Sequence, residues 1–188
     1  YRKSVILKNL RYCFPDKSDD ELNKIRKDFY QRLCDIILES IKGYTLSEKE
    51  LLKRFVSKNH ELTYNHFEQK KDIFLVTGHF GNWEWGNAIV SKALKHSQAV
   101  FYKPISNQFM DRYVEARRKR FGAIMVSIYH GRNYYTQKKD KPAAYFLVAD
   151  QYPTNSVKQK KVVFFGKETA FLHGPENFSK QLNAPVYY

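Results

Sequence analysis

Few residues in this 188-residue chain are cysteine, glycine or proline. Two cysteines, Cys13 and Cys34, are too few for a disulfide framework or a zinc pattern, and a reducing compartment suits them. Both fall in helix-like stretches and read as small, buried or half-buried side chains. Eight glycines and six prolines among 188 residues leave no low-complexity or linker-like tract. No run approaches the ~18 uninterrupted apolar residues that a membrane-spanning helix needs. No stretch of these residues reads as a signal peptide or as an internal repeat. Acidic residues are also scarce: 19 Asp and Glu face 33 Lys and Arg, for a net charge of +14.

What is present is a globular composition, 43% hydrophobic and 28% charged, long enough for one domain with a core. The charge is uneven. Residues 1–72 hold 16 Lys and Arg against 12 Asp and Glu, whereas residues 73–188 hold 17 against 7. Such a field attracts an anionic membrane leaflet, an acidic protein or a nucleic acid, and charge alone does not choose among them. Aromatic residues reach 16%, which fits either a lipid-facing surface or a core built of rings.

The pattern changes near residue 72. Before it, Ser18-Asp19-Asp20-Glu21 and Ser47-Glu48-Lys49-Glu50 have capping-box spacing. After the first box, Leu22, Ile25, Phe29, Leu33, Ile36, Ile37 and Ile41 recur at steps of three and four, the stripe of an amphipathic helix that Gly43 ends. From residue 73, short apolar runs read as strands: 73–77, 99–102, 123–128, 144–149, 162–165 and 185–188. Helix-like segments lie between most of them, near 83–95, 107–120, 132–139 and 175–183. The expected fold is therefore α/β: a helical N-terminal segment, 1–72, packed on an α/β sandwich with a mostly parallel sheet, 73–188, together one structural domain. The chain opens without Met and closes on what reads as a strand just begun, so truncation at both ends is expected.

Ligands of such sheets bind outside the carboxyl ends of the strands, and Gly78-His79 directly follows the first strand. Glu84 lies five residues on, in the first turn of the next helix. A carboxylate there can accept a hydrogen bond from one imidazole nitrogen of His79 and leave the other as a general base. Gly81 permits close approach of a substrate, and Asn82 suits a helix cap. Spacing alone does not separate this from a loop histidine and a solvated helix carboxylate. His60, His66 and His96 read as surface residues, and the six histidines show no metal-ligand spacing.

The stretch Thr77-Gly78-His79-Phe80-Gly81-Asn82-Trp83-Glu84-Trp85 resembles the catalytic block of the bacterial lipid A biosynthesis acyltransferases, the lauroyl/myristoyl transferase family. Further blocks follow in the family's order. They are Tyr102-Lys103-Pro104 with Asn107, where Lys103 replaces the more usual Arg; Asp111 with Arg118 and Arg120; and Asp150-Gln151, Phe164-Phe165-Gly166 and Gly174. Asn9-Leu10-Arg11 with Phe14-Pro15 resembles the segment that follows the family's membrane anchor. The resemblance implies a glycerolipid-acyltransferase-like fold on the cytoplasmic face of the inner membrane, with an N-terminal anchor lying outside this chain. It implies acyl transfer from an acyl carrier protein or coenzyme A thioester to a hydroxyl of a lipid acceptor. It needs no metal and no further cofactor.

By the same resemblance, His79 is the base, Glu84 its orienting partner and Arg118 the group that meets the oxyanion. Gly81, Asn82, Asn107, Arg120 and Asp150 are assigned to substrate: Arg120 to an acceptor phosphate, Asp150 to the organisation of the pocket. The implied partners are acyl carrier protein, the lipid acceptor and an anionic membrane surface, and no nucleic acid. Two rivals remain at this point: a basic nucleic-acid-binding domain, which leaves the Gly-His-Phe-Gly-Asn-Trp-Glu block without a purpose, and a non-catalytic lipid-binding relative, against which the retention of His79 and Glu84 argues.

Overall fold

The computed structural model describes residues 2–153 and 159–188. Both capping boxes form as the sequence predicts. The Ser18 hydroxyl accepts from the Glu21 backbone N–H, and the Glu21 carboxylate accepts from the Ser18 backbone N–H, opening α2 (Asp19–Gly43) behind a short α1 (Lys3–Cys13). The Ser47 and Glu50 pair opens α3 (Glu48–Arg54) in the same way. A 3-10 turn (His60–Thr63) and α4 (Tyr64–Glu68) lead to the sheet.

The sheet-forming half runs β1 (Ile73–Thr77), α5 (Trp83–Ala93), β2 (Ser97–Tyr102), α6 (Gln108–Lys119), β3 (Ile124–Ser127), α7 (Gly131–Thr136) and β4 (Ala143–Val148). It continues through β5 (Gln159–Phe164), β6 (Lys167–Leu172) and α8 (Gly174–Leu182) to β7 (Val186–Tyr187). Five strands form one parallel sheet in the order β3-β2-β4-β1-β7. The chain steps from β1 past an empty place to β2, and β4 later fills that place. The loops after β1 and β4 therefore lie side by side at the carboxyl rim.

Helices cover both faces, which explains the continuous apolar strands. On one face Phe74, Phe101, Tyr134, Tyr135, Tyr145 and Phe178 pack ring against ring beneath α7 and α8. A good part of the aromatic content is thus core. On the other face Val100, Ala123 and Phe146 pack with Leu75 and Val90 beneath α5.

Four expectations are corrected. The 162–165 run is no member of the main sheet: β5 pairs antiparallel with β6, a strand the sequence did not suggest, as a separate hairpin. Its two-residue loop, Phe165-Gly166, has both φ angles positive, as tight hairpins require. The α2 stripe is only partly covered: Leu22 is buried, but Phe29, Ile37 and Ile41 are exposed. Cys34 is exposed, whereas Cys13 is half-buried as expected. His96 is buried, not on the surface. It packs edge-on against Phe67 and bonds the Lys71 carbonyl through Nε2, and burial pushes its pKa down.

Candidate active site

The register of the parallel sheet builds the site. Thr77 on β1 pairs with Val148 on β4. Ala149 then donates its N–H to the Thr77 carbonyl at 2.9 Å, which carries the pairing one residue past the strands. One more step along each chain sets His79 against Asp150. The Asp150 carboxylate takes two bonds from that one residue. Oδ2 accepts the His79 backbone N–H at 2.8 Å, and Oδ1 lies 2.6 Å from His79 Nδ1. Gly78 makes this approach possible, because a Cβ there would lie 3.1 Å from Asp150 Oδ2 and 2.6 Å from the Phe80 ring. Partial burial pushes the Asp150 pKa up, but the bonds from the His79 backbone and ring outweigh it, and the net shift is downward. A carboxylate on Nδ1 selects the tautomer in which Nδ1 donates, and Nε2 keeps its lone pair.

The expected pairing of Glu84 with His79 is therefore not the one that forms. Glu84 is held by Arg118 in a two-point ion pair, with Arg118 Nε donating to Glu84 Oε2 at 2.9 Å and Nη2 to Oε1. Burial pulls the Arg118 pKa down, and the bonds to Glu84 more than offset it. The reason is directional. Glu84 sits in the first turn of α5 and faces α6, whereas the His79 ring faces β4. Trp83, one residue earlier, packs its indole edge-on against the imidazole at 4.8 Å.

His79, Glu84 and Arg118 nonetheless line one cleft of about 420 Å³ at the carboxyl rim. Its apolar wall is Val100, Phe146 and Val148; Asn87, Lys103 and Gln151 add polar groups, and Leu172 of β6 closes one side. Gln151 Nε2 stands 3.5 Å from His79 Nε2, a long hydrogen bond made within the cleft that both side chains line.

The remaining candidates divide. Asn82 caps α5, its Oδ1 accepting from the Trp85 N–H, while its Nδ2 donates to Glu39 of α2. Asn107 caps α6 by accepting from the Met110 N–H. Gly81 has φ +51 with open space around it, so a turn and not a close contact requires glycine there. Arg120 points away from the cleft and donates to the carbonyls of Gly43, Tyr44 and Leu46. Its assignment to an acceptor phosphate is withdrawn, because it does not line the cleft and its guanidinium is turned to the carbonyls beyond the end of α2. Among the described residues no group of three or more His, Cys, Asp or Glu could hold a metal ion, and no helix is long and apolar enough to cross a membrane.

Sequence reasoning passed over Asp150 as the partner of His79, since 71 residues separate them and only the sheet register joins them. It also passed over Glu39 and Asn87, whose roles depend on packing.

The family model described as bacterial lipid A biosynthesis acyltransferase matches residues 1–187. The chain is 24% identical over 152 residues to a lipid A biosynthesis palmitoleoyltransferase of Escherichia coli K12, covering 80% of this chain and 49% of that protein. It is 30% identical over 110 residues to a lipid A biosynthesis acyltransferase of Haemophilus influenzae, covering 58% of this chain and 34% of that one. The chain thus spans about half the length, or less, of these relatives.

Proposed function

Because the chain belongs to the bacterial lipid A biosynthesis acyltransferase family, we propose that it moves a fatty acyl group from a thioester to a hydroxyl of a lipid A precursor, with His79 as the general base. The observation that carries this reading is the His79 imidazole, fixed at Nδ1 by Asp150 and turned at Nε2 into a cleft with an apolar wall, where the Gln151 amide, at a long 3.5 Å, stands nearest.

The steps follow from that placement. The acceptor hydroxyl gives its proton to Nε2 as its oxygen attacks the thioester carbonyl. Asp150 stabilises the imidazolium that forms. The carbonyl oxygen becomes an oxyanion, and Arg118 is the cation at hand. Its Nε and Nη2 are committed to Glu84, while Nη1 makes no hydrogen bond among the described residues. Glu84 thus serves the reaction by fixing Arg118 and not by touching His79. When the tetrahedral centre collapses, the thiolate leaves and takes up the proton from Nε2. No covalent acyl-enzyme is required.

The donor is an acyl carrier protein thioester or its coenzyme A counterpart. The net charge of +14 favours an acidic carrier and an anionic leaflet as partners, and it supports the reading of a reaction at the cytoplasmic face of the inner membrane.

The test supplies the full-length protein with acyl carrier protein thioesters and a panel of lipid acceptors, and identifies products by mass. The expected result is one added acyl chain on a lipid A precursor. Loss of at least about a hundredfold in turnover is expected for His79→Ala with the fold intact. Turnover in that variant equal to wild type overturns the assignment of the base, and no transfer from any thioester overturns the reading as a whole.

A further inference from the structure

The inner end of the cleft carries a feature that the chemistry at His79 does not use. Side chains two apart on a strand share a face, so Tyr102, Val100 and Gln98 of β2 lie in line from the rim inwards. The first two line the cleft. The neighbouring strand continues this face, with Val100 paired to Phe146 and Gln98 to Ala144. The apolar wall therefore runs from Val148 and Tyr102 to Phe146 and Val100, where Asn87 of α5 meets it. One pleat repeat further in, roughly 7 Å, is Gln98, whose Nε2 donates to Asn87 Oδ1 at 3.1 Å. Gln98 is 1% exposed and Asn87 5%. Gln98 Oε1 has no hydrogen-bond partner among the described residues.

An amide buried in a central strand with one atom unmet destabilises a fold relative to a leucine. It persists where it does something a leucine would not. Here it holds Asn87 at the inner end of the cleft's apolar wall. Each methylene laid along Val148, Phe146 and Val100 tightens binding by about fourfold. That gain stops at Asn87: a longer chain has to part the Asn87–Gln98 bond and leave a second amide group unmet in an apolar site. We infer that Asn87, braced by Gln98, is the end stop of the acyl-chain slot and sets the longest chain the protein accepts. The inference rests on the proposed acyl-transfer reading of this cleft, and it deepens that reading by naming the group that measures the chain.

The experiment titrates the full-length protein with saturated fatty acids of eight to eighteen carbons, read by the fluorescence of Trp83, which lines the cleft. Affinity rises with length up to a break and then levels or falls. In Asn87→Ala the break moves to chains about two carbons longer, which bind roughly fifteenfold tighter than they do to wild type. Should Asn87→Ala not fold, Asn87→Ala/Gln98→Met removes both amides, keeps the volume at position 98 and gives the same displacement. Product masses in the transfer assay shift in the same direction. A break that stays in place in the folded variants, or no break in wild type, overturns the inference. A break that moves while no thioester is turned over overturns the proposed reaction and leaves the end stop standing.

Discussion

Replacing Asp150 by Asn keeps the shape of the side chain and removes its charge. The new amide can present N–H to Nδ1 and so favour the tautomer in which Nε2 carries the proton, which leaves the base without its lone pair. Turnover is expected to fall roughly 10²–10⁴-fold, with little change in the affinity for the thioester. Glu84→Gln acts elsewhere. It removes the charge that pairs with Arg118 in a site where both side chains are less than a quarter exposed. The expected loss of stability is about 1–3 kcal/mol, below that for a fully buried pair because solvent reaches this one. Single-turnover rates and unfolding curves of the two variants separate the roles. If Glu84→Gln alters the pH profile of turnover while Asp150→Asn does not, the partners of His79 have been assigned the wrong way round.

At the scale of elements, Arg120 ties two halves of the chain together. Residue 120 follows α6, and its guanidinium closes off the carbonyls of Gly43, Tyr44 and Leu46 at the end of α2, where a cation is favourable. Glu39, near that end of α2, accepts from Asn82 and, through its carbonyl, from Trp85. The N-terminal helices are thus clamped to the strand-helix unit that carries His79. Arg120→Ala is expected to lower stability by about 1–2 kcal/mol and to leave the KM for the lipid acceptor near wild type. A rise in that KM with unchanged stability restores the phosphate-binding role.

The elements also show what a sequence can and cannot reveal. The capping boxes at Ser18 and Ser47 were legible because each is settled within four residues. The strands 73–77 and 143–148 were legible because burial on both faces leaves an uninterrupted apolar run. The run at 162–165 looks the same, yet it belongs to an outlying hairpin, since periodicity does not record what lies opposite. For α2 the stripe fixed a face and said nothing of what covers it. His79 and Arg118 were found through a resemblance in local motifs. The partnership of His79 with Asp150 depends on the register of two strands that are distant in sequence, and the capture of Glu84 by Arg118 on the angle between two helices. Neither is written in any single stretch of chain.

The exposed apolar side chains are distributed in a way that bears on the whole molecule. Phe80 follows β1, Ile105, Phe109 and Met110 follow β2, Ile128 and Tyr129 follow β3, and Tyr152 follows β4; all are exposed, Phe109 at 76%. The hairpin adds Val163, Phe164 and Phe165, flanked by Lys160, Lys161 and Lys167, and Lys167 lies over the ring of Tyr12 on α1. Loops at one end of a parallel sheet share one side of the molecule, so apolar tips stand on the side where the cleft opens, with Lys103 in its lining. Exposed rings beside a net charge of +14 suit an anionic bilayer, with the rings among the acyl chains. On the proposed docking to a bilayer, the cleft is expected to face the lipid. This orientation is checked by spin labels placed singly at residues 109, 164 and 138 in a Cys13→Ser/Cys34→Ser background, on phosphatidylglycerol vesicles. Labels at 109 and 164 should be open to oxygen and shielded from a water-soluble nickel chelate. The label at 138, in the loop that enters β4 at the opposite end of the sheet, should stay open to the chelate. Equal exposure of all three, or shielding at 138 alone, rules this orientation out and directs the acceptor to the cleft by a route other than the bilayer surface.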